Sequence, residues 1–441
     1  MFKTIKNAFK TPDVRKRLLY TLLLIVIFRF GCYITVPGVD TFALAESMES
    51  ATGSIASLID TISGGAFSNL SIFAMSITPY ITASIVIQLL GMIFPALEKL
   101  MKEGGEASRE KVNKYTKLLA VLLAFVEALG VYISYRSSGI FKDTGVLTAS
   151  IIVVALMAGT SVLIWLGEQI TNKGVGNGIS MIIFIGIISR LPSGVVKLWN
   201  LIVTGEGVST VGIVTAFIIL IGAILLVAGV VFVQQAERKV PVQYAKKVVG
   251  RKMYGGQNTH IPLKLAMAGD MPIIFASSFM TFPAMMIQIF ASDKIGGAGF
   301  LAGLYKFSIA TSSSSVGWGY SLANAIVYFL LIVGFTFFYT YATFNPDEVA
   351  TNIKQNGGFI PGIRAGKPTA DYLKNTLNKL TVFGAVFLSL IAILPMLLRF
   401  SSLNLSFGGT SILIVVGVAL ETMQQLESLL VMRHYKGFLE K

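Results

Sequence analysis

The sequence predicts an all-α polytopic membrane protein with ten transmembrane helices. Apolar runs of span length recur along the chain, only 13% of the residues are charged, and basic residues gather in alternate connections. A water-soluble domain carries about 25% charged residues, and a membrane span needs roughly 20 predominantly apolar ones. Runs of that kind cover 17–36, 71–95, 117–136, 148–169, 178–196, 211–233, 266–291, 318–343, 376–398 and 410–432. The first follows MFKTIKNAFKTPDVRKR. It is long enough to span and lacks a small-residue cleavage site, so it reads as helix 1 and not as a removable signal peptide.

Charge sets the expected orientation. Lys3, Lys6, Lys10, Arg15, Lys16 and Arg17 precede helix 1. Lys99, Lys102, Arg109, Lys111, Lys114 and Lys117 lie between helices 2 and 3, and Arg238, Lys239, Lys246, Lys247, Arg251, Lys252 and Lys264 between 6 and 7. The first loop on the other side carries only Asp40, Glu46, Glu49 and Asp60. The positive-inside rule then places both termini and the even-to-odd connections in the cytoplasm.

The spans divide into five plus five, with an N-terminal half over 1–200 and a C-terminal half over 201–441. Such a layout permits inverted pseudo-symmetry about an axis in the membrane plane. Two cytoplasmic loops are long, 234–265 and 344–375. RKVPVQYA in the first alternates like a strand, and Gly255-Gly256 supplies turn chemistry, so a hairpin is expected. The second holds FNPDE and then GGFIPGIRAGKPT, dense in Gly and Pro and therefore shaped.

Ahead of the second span, residues 58–70 form a short, Gly-broken, partly polar stretch. Thirteen residues of helix reach only about 20 Å, too short for a core of roughly 30 Å. Polar, broken backbone is tolerated at membrane depth only where protein buries it or water reaches it. A re-entrant half-helix in a funnel meets that condition; an external loop is the plainer alternative.

Five stretches carry a resemblance to a known family: SGGAFSNLSIFAMSITPYITASIVIQLL, WLGEQITNKGVGNGIS, QYAKKVVGRKMYGGQNTHIPLKLAMAGDMPIIFASS, FNPDEVATNIKQNGGFIPGIR and FGGTSILIVVGVALE. They resemble, in order and along nearly the whole chain, the bacterial SecY family of protein-conducting channels. The resemblance implies a pore in the bacterial plasma membrane that passes unfolded, signal-sequence-bearing polypeptides and releases apolar segments sideways into lipid. It also implies SecE and SecG as partner subunits, with SecA or the ribosome docking on the cytoplasmic face.

Site residues follow from the same motifs. The short stretch would be a plug helix, with Thr61, Ile62, Ser63, Gly64, Gly65, Ala66 and Phe67 at its centre. Ile77, Ile81, Ile179, Ile183, Ile274 and Ile414 look like a pore ring. Ile77 and Ile81 share a helix face, as do Ile179 and Ile183, and a collar of branched apolar side chains stops ions by dewetting. Packing against lipid or another helix is the ordinary alternative for any isoleucine here. Gln88, Glu127, Ser277, Ser278, Thr281 and Asn324 sit in runs whose family counterparts form a lateral gate; simple helix packing is again open. Glu127 is unexpected, since an intramembrane carboxyl is costly, and it should be protonated or wetted. Arg364 in its PGIRAG turn, with Lys246, Lys247, Arg251 and Lys252, suits docking on acidic protein or ribosomal RNA. Part of the +14 charge is explained by topology control and attraction to anionic membrane lipids.

Little in the sequence points to catalysis or to a cofactor. GIRAGKPT lacks the spacing and the hydroxyl residue of a phosphate loop. Cys32 is the sole cysteine, and His260 and His434 are far apart, so no metal site is expected. The rival from another class is an ion- or proton-coupled small-solute secondary transporter, whose coupling groups would be Arg29, Glu127 and Glu421.

Overall fold

The computed structural model describes residues 2–44, 60, 63–102, 105–136, 139–204, 207–208, 210–244, 247–249, 252–254, 258–291, 297, 299–310, 317–399 and 409–439. Its elements in chain order are α1 (Phe2–Lys10), α2 (Pro12–Gly31), α3 (Thr78–Ile93), α4 (Pro95–Lys102), α5 (Gly105–Tyr135), α6 (Val146–Lys173), α7 (Gly178–Ile188) and α8 (Leu191–Ile202). Then come β1 (Val203–Thr204), β2 (Gly207–Val208), α9 (Thr210–Gln235), β3 (Glu237–Tyr244), β4 (Lys247–Val249), β5 (Lys252–Tyr254) and β6 (Asn258–Lys264). The chain continues with α10 (Met271–Phe290), α11 (Phe300–Ile309), α12 (Trp318–Thr343), α13 (Pro346–Gln355), β7 (Gly358–Phe359), α14 (Lys367–Arg399) and α15 (Gly409–Leu439).

Among the described residues, eight helices are long and apolar enough to cross a membrane, and a bent pair makes up to nine. That pair is α3 and α4, which meet at 105°. Phe94 is extended there (φ −100°, ψ 111°), as the ring of Pro95 demands of the residue before it. The expected first span corresponds to α2, whose opening turns hold Asp13, Arg15, Lys16 and Arg17 and keep it outside that count. The second span starts later than expected. Ser71 bridges to Thr35, residues 72–77 are turns, and the helix begins only at Thr78.

The chain forms two compact units: Met1–Ala216 with Ser277–Ala325 and Ile414–Lys441, and Phe217–Ala276 with Ile326–Leu413. This division differs from halves at 1–200 and 201–441, because the second of those segments contributes to both units.

In the first unit, the chain between α2 and α3 folds back among the helices. Phe67, Leu70, Ala74 and Met75 enter one buried cluster with Ala124, Ala128 and Tyr132 of α5 and Ile152, Val153 and Leu156 of α6. Gly159 of α6 is required for this. A Cβ placed there would lie 1.9 Å from the Ile72 carbonyl oxygen.

The second unit carries a three-stranded sheet in the order β6-β3-β7. β3 and β6 are antiparallel, with Val240 opposite Ile261 and Val242 opposite Thr259. Val240 and Val242 point inward in the alternation read from RKVPVQYA and pack with Leu263, Ile353, Ile360 and Leu373. Pro241 is tolerated in the central strand because β7 pairs only with Gln243 and Tyr244. A second hairpin, β4–β5, sets Val249 opposite Lys252; the expected Gly255-Gly256 turn lies outside the described residues. The loop expected over 344–375 is largely helical. Asn345 caps α13 by accepting from the Asp347 N–H at 3.2 Å, with Pro346 in its first turn.

Replacing Gly159 with Ala forces the Ile72 carbonyl away from α6 and is expected to destabilise the protein by about 1–3 kcal/mol. Thermal unfolding of the purified protein checks this, since an unchanged midpoint would mean that the close approach is absent.

Candidate functional site

The site is built around residues 60–77. Thr61 and Ile62 lie outside the described residues. Asp60 and Ser63 are helical, and Gly64 to Leu70 continue as successive turns, so the described part of the expected plug helix is a compact turn structure. Its bonds are local. The Gly65 N–H donates to Asp60 O at 3.0 Å, Ser71 N–H to Ala66 O at 2.9 Å, and Phe67 N–H to Ser63 Oγ at 3.2 Å. Gly64 sits at φ +67° against α7, where a Cβ would lie 2.7 Å from Gly186 Cα; only glycine fits both demands.

Charged groups clasp this turn. Asp60 forms an ion pair with Arg190 and accepts from the Ser68 N–H at 2.7 Å. The Gly64 carbonyl accepts from Arg29 Nη1 at 2.9 Å and Ser189 Oγ at 3.2 Å. A cavity of about 190 Å³ adjoins these groups, lined by Arg29, Tyr33, Gly64, Ser68, Ser189 and Arg190 among others. Sequence reading passed over Asp60 and Arg190 and took Arg29 for a coupling charge. The available signal was two arginines, Arg29 and Arg190, toward the base-poor ends of helices 1 and 5.

Of the six isoleucines expected to form a ring, five are dispersed over α3, α7, α10 and α15; Ile77 precedes α3 as its N-cap residue, so it does not share a helix face with Ile81 as expected. Ile77, Ile81, Ile183, Ile274 and Ile414 are between 0 and 8% exposed, and Ile179 is half-buried. Ile179 packs onto α6, its Cγ1 lying 3.2 Å from where a Cβ on Gly167 would stand. Ile274 belongs to the second unit and the other five to the first. Asn177 caps α7 by accepting from the Ile179 N–H at 3.1 Å, and the Val175 N–H donates to Thr21 Oγ1 at 3.0 Å. The GVGN turn is thereby pinned to α2.

The gate residues all fall in the first unit. Gln88 donates to Ser84 on its own helix at 3.0 Å, and Thr281 Oγ1 lies 3.1 Å from the Ser277 and Ser278 carbonyls. Asn324, fully buried on α12, donates across to the Phe307 carbonyl of α11 at 2.6 Å. Glu127 is half-buried between Ala124 and Ala128, both in the cluster that holds Phe67. Pro283 interrupts the hydrogen-bond ladder of α10. Of the docking residues, Lys246 and Arg251 lie outside the described residues, and Lys247 and Lys252 sit on β4 and β5. Arg364 is exposed on a turn between Gly362 (φ +82°) and Gly366 (φ +103°), next to buried Ile360. Its carbonyl accepts from Thr369 Oγ1 at 2.9 Å. Among the described residues no cluster could hold a metal ion.

The sequence profile of the SecY family matches residues 71–423. The chain belongs to the SecY family. It is 44% identical, over the full length of both chains, to the protein translocase subunit SecY of Streptomyces coelicolor. Its fold matches, at TM-score 0.67 and 21% identity, a solved SecY structure whose plug domain is described as stabilising the closed state and maintaining a membrane seal; 94% of this chain and 92% of that one are covered. It matches Sec61 in a canine ribosome–channel complex from the endoplasmic reticulum at TM-score 0.63 and 19% identity, covering 94% of this chain and 92% of the other. As a SecY family member the chain is a protein-conducting channel subunit of the Sec translocon. It is a transport protein and not an enzyme, and the small-solute transporter reading falls away.

Proposed function

We propose that residues 60–70 are the plug of this channel, and that the chain threads unfolded polypeptides through an apolar collar which the plug closes from outside. The observation that carries this is the turn structure at 64–77, buried among α5 and α6 in the first unit yet not helical. Backbone of that kind persists at membrane depth where protein encloses it or a cavity meets it, and here both hold. Ile77, Ile81, Ile179, Ile183, Ile274 and Ile414 are the proposed collar, supported by their apolar character and, Ile179 apart, by their low exposure. Branched apolar groups dewet a narrow neck without charge and grip a passing chain weakly, as a conduit for many sequences requires.

Gln88, Glu127, Ser277, Ser278, Thr281 and Asn324 are proposed to line the seam through which apolar segments leave. Polar contacts between membrane helices contribute only about 0.6–2 kcal/mol each, comparable to the insertion of a few apolar residues. An inserting segment therefore shifts such a seam. The proposed location is the bacterial plasma membrane, with both termini cytoplasmic, as the basic loops favour. SecE and SecG are the proposed partner subunits, and the two five-helix halves the proposed pseudo-symmetric pair. SecA and the ribosome dock at Arg364, with Lys246, Lys247, Arg251 and Lys252 on the neighbouring loop, and they supply the drive for which this chain carries no phosphate loop. Arg364 stands on a turn shaped by two left-handed glycines, so its charge is presented in a fixed place.

Reconstituted with SecE and SecA and given ATP, the chain is expected to render a secretory precursor protease-resistant; a precursor that stays digestible would remove the reading. Exchanging Ile81 and Ile183 together for Asn should hydrate the neck and raise resting ion conductance, and a conductance equal to wild type would dismiss the collar. Arg364→Glu is expected to slow SecA-driven export roughly tenfold or more while leaving SecE copurification intact. Normal export by that variant would place docking elsewhere.

A further inference from the structure

We propose that Arg29, Asp60 and Arg190 form a polar latch that holds the plug seated, and that its strength sets how apolar a signal segment must be to open the channel. The inference rests on reading residues 60–70 as the plug. Two anchors converge on the turn. Asp60 takes the Arg190 guanidinium and the Ser68 N–H, while Arg190 Nη2 also reaches Ser68 Oγ at 3.4 Å. Four residues along, the Gly64 carbonyl takes Arg29 Nη1 and Ser189 Oγ. Arg29 comes from α2, and Ser189 and Arg190 from the joint between α7 and α8, so the turn is tied to two elements at once.

Three features fit a releasable device better than a structural knot. The ion pair is only partly withdrawn from solvent, with side-chain exposures of 33% for Arg190 and 12% for Asp60. The cavity beside it is lined by both arginines, so incoming water or polypeptide can take over their hydrogen bonds. Arg190 Nε, moreover, is buried and donates to nothing, a loss that a contact selected purely for stability would avoid. Asp60 pairs with Arg190, and Arg29 lines the same cavity, so removing Asp60 leaves two like charges beside it. Arg29 is further steadied by Tyr33, whose hydroxyl lies 3.3 Å from Nη2 and whose ring centre lies 5.5 Å from its guanidinium carbon. The anchor on α2 therefore stays in place when the plug leaves, ready to recapture it.

The test uses the full chain reconstituted with its translocon partners and motor. Resting ion conductance is read together with translocation of two precursors, one normal and one with a shortened apolar signal core. Asp60→Asn and Arg190→Gln are each expected to raise conductance and to raise the shortened-to-normal translocation ratio about 5- to 30-fold, the factor for losing one charge-assisted contact. The exchange Asp60→Arg with Arg190→Asp should restore most of the discrimination, since it keeps the ion pair and gives up only the two contacts to Ser68. Single variants that leave the ratio unchanged, or that depress both precursors alike, would overturn the latch. Deleting residues 63–70 separates the two readings. A conductance rise on deletion with silent single variants keeps the plug and removes the latch; no rise removes both.

Discussion

Peptide groups inside a membrane protein must find partners within the protein, and the backbone of residues 64–77 meets that constraint without being helical. The Val36 N–H donates to Leu70 O at 3.1 Å and the Ile72 N–H to Ile34 O at 2.9 Å, bracketing a bridge between Thr35 and Ser71. The chain leaving α2 thus serves as a strand for the chain entering α3. With that pairing made, Phe67, Leu70 and Met75 can fill the interior, where α5 and α6 present Ala124, Ala128 and Gly159 to make room. Small residues on the helices and large ones on the turn are two sides of one fit. Neither packs without the other.

The same segment carries visible costs. Leu70 and Ser76 hold positive φ, at 38° and 53°, where side chains other than glycine's crowd the backbone. Ser71 Oγ and Ser76 Oγ are buried without partners. Each strained residue costs on the order of 1–3 kcal/mol, and each orphaned hydroxyl about as much. Opposing them are the burial of Phe67, Leu70 and Met75 and the bonds made to the turn by Arg29, Ser189 and Arg190. Terms of similar size and opposite sign leave a segment that is seated but not locked. A channel that must stay shut against ions and still yield to a peptide needs that balance.

The apolar spans were legible in the sequence because hydropathy over twenty residues averages out local detail. Local detail is where the reading departed. SIFAMSI, Ser71 to Ile77, is as apolar as the helix it precedes, so nothing in its composition betrays the turns that fill it; they are imposed by Gly159 and by pairing with residues 34–36. α13 left a signal that was read only as loop shape: Asn345 at the cap, Pro346 behind it, then Asp347 and Glu348 in the first turn. The alternation in RKVPVQYA was read correctly, because one face of β3 is buried and period two shows it. Arg29 illustrates the limit. An arginine in an apolar run announces that it has a partner, but a backbone carbonyl thirty-five residues away leaves no trace in sequence.

The two units show contrasting physical designs. The first holds a strained turn, partly exposed charge pairs and weak polar contacts, so its arrangement responds to modest changes in free energy. The second offers Arg364 on glycine-shaped backbone beside a sheet whose core of Val240, Val242, Leu263, Ile353, Ile360 and Leu373 is closely packed. Packed cores transmit displacement because they compress little. A motor docked at Arg364, as proposed above, needs that stiffness beneath it, or its stroke is lost in deforming the contact. With force entering at Arg364 as proposed, stiffness belongs beneath that residue and compliance at the proposed plug; the inward valines of β3 supply the first, and the strained backbone at Leu70 and Ser76 supplies the second.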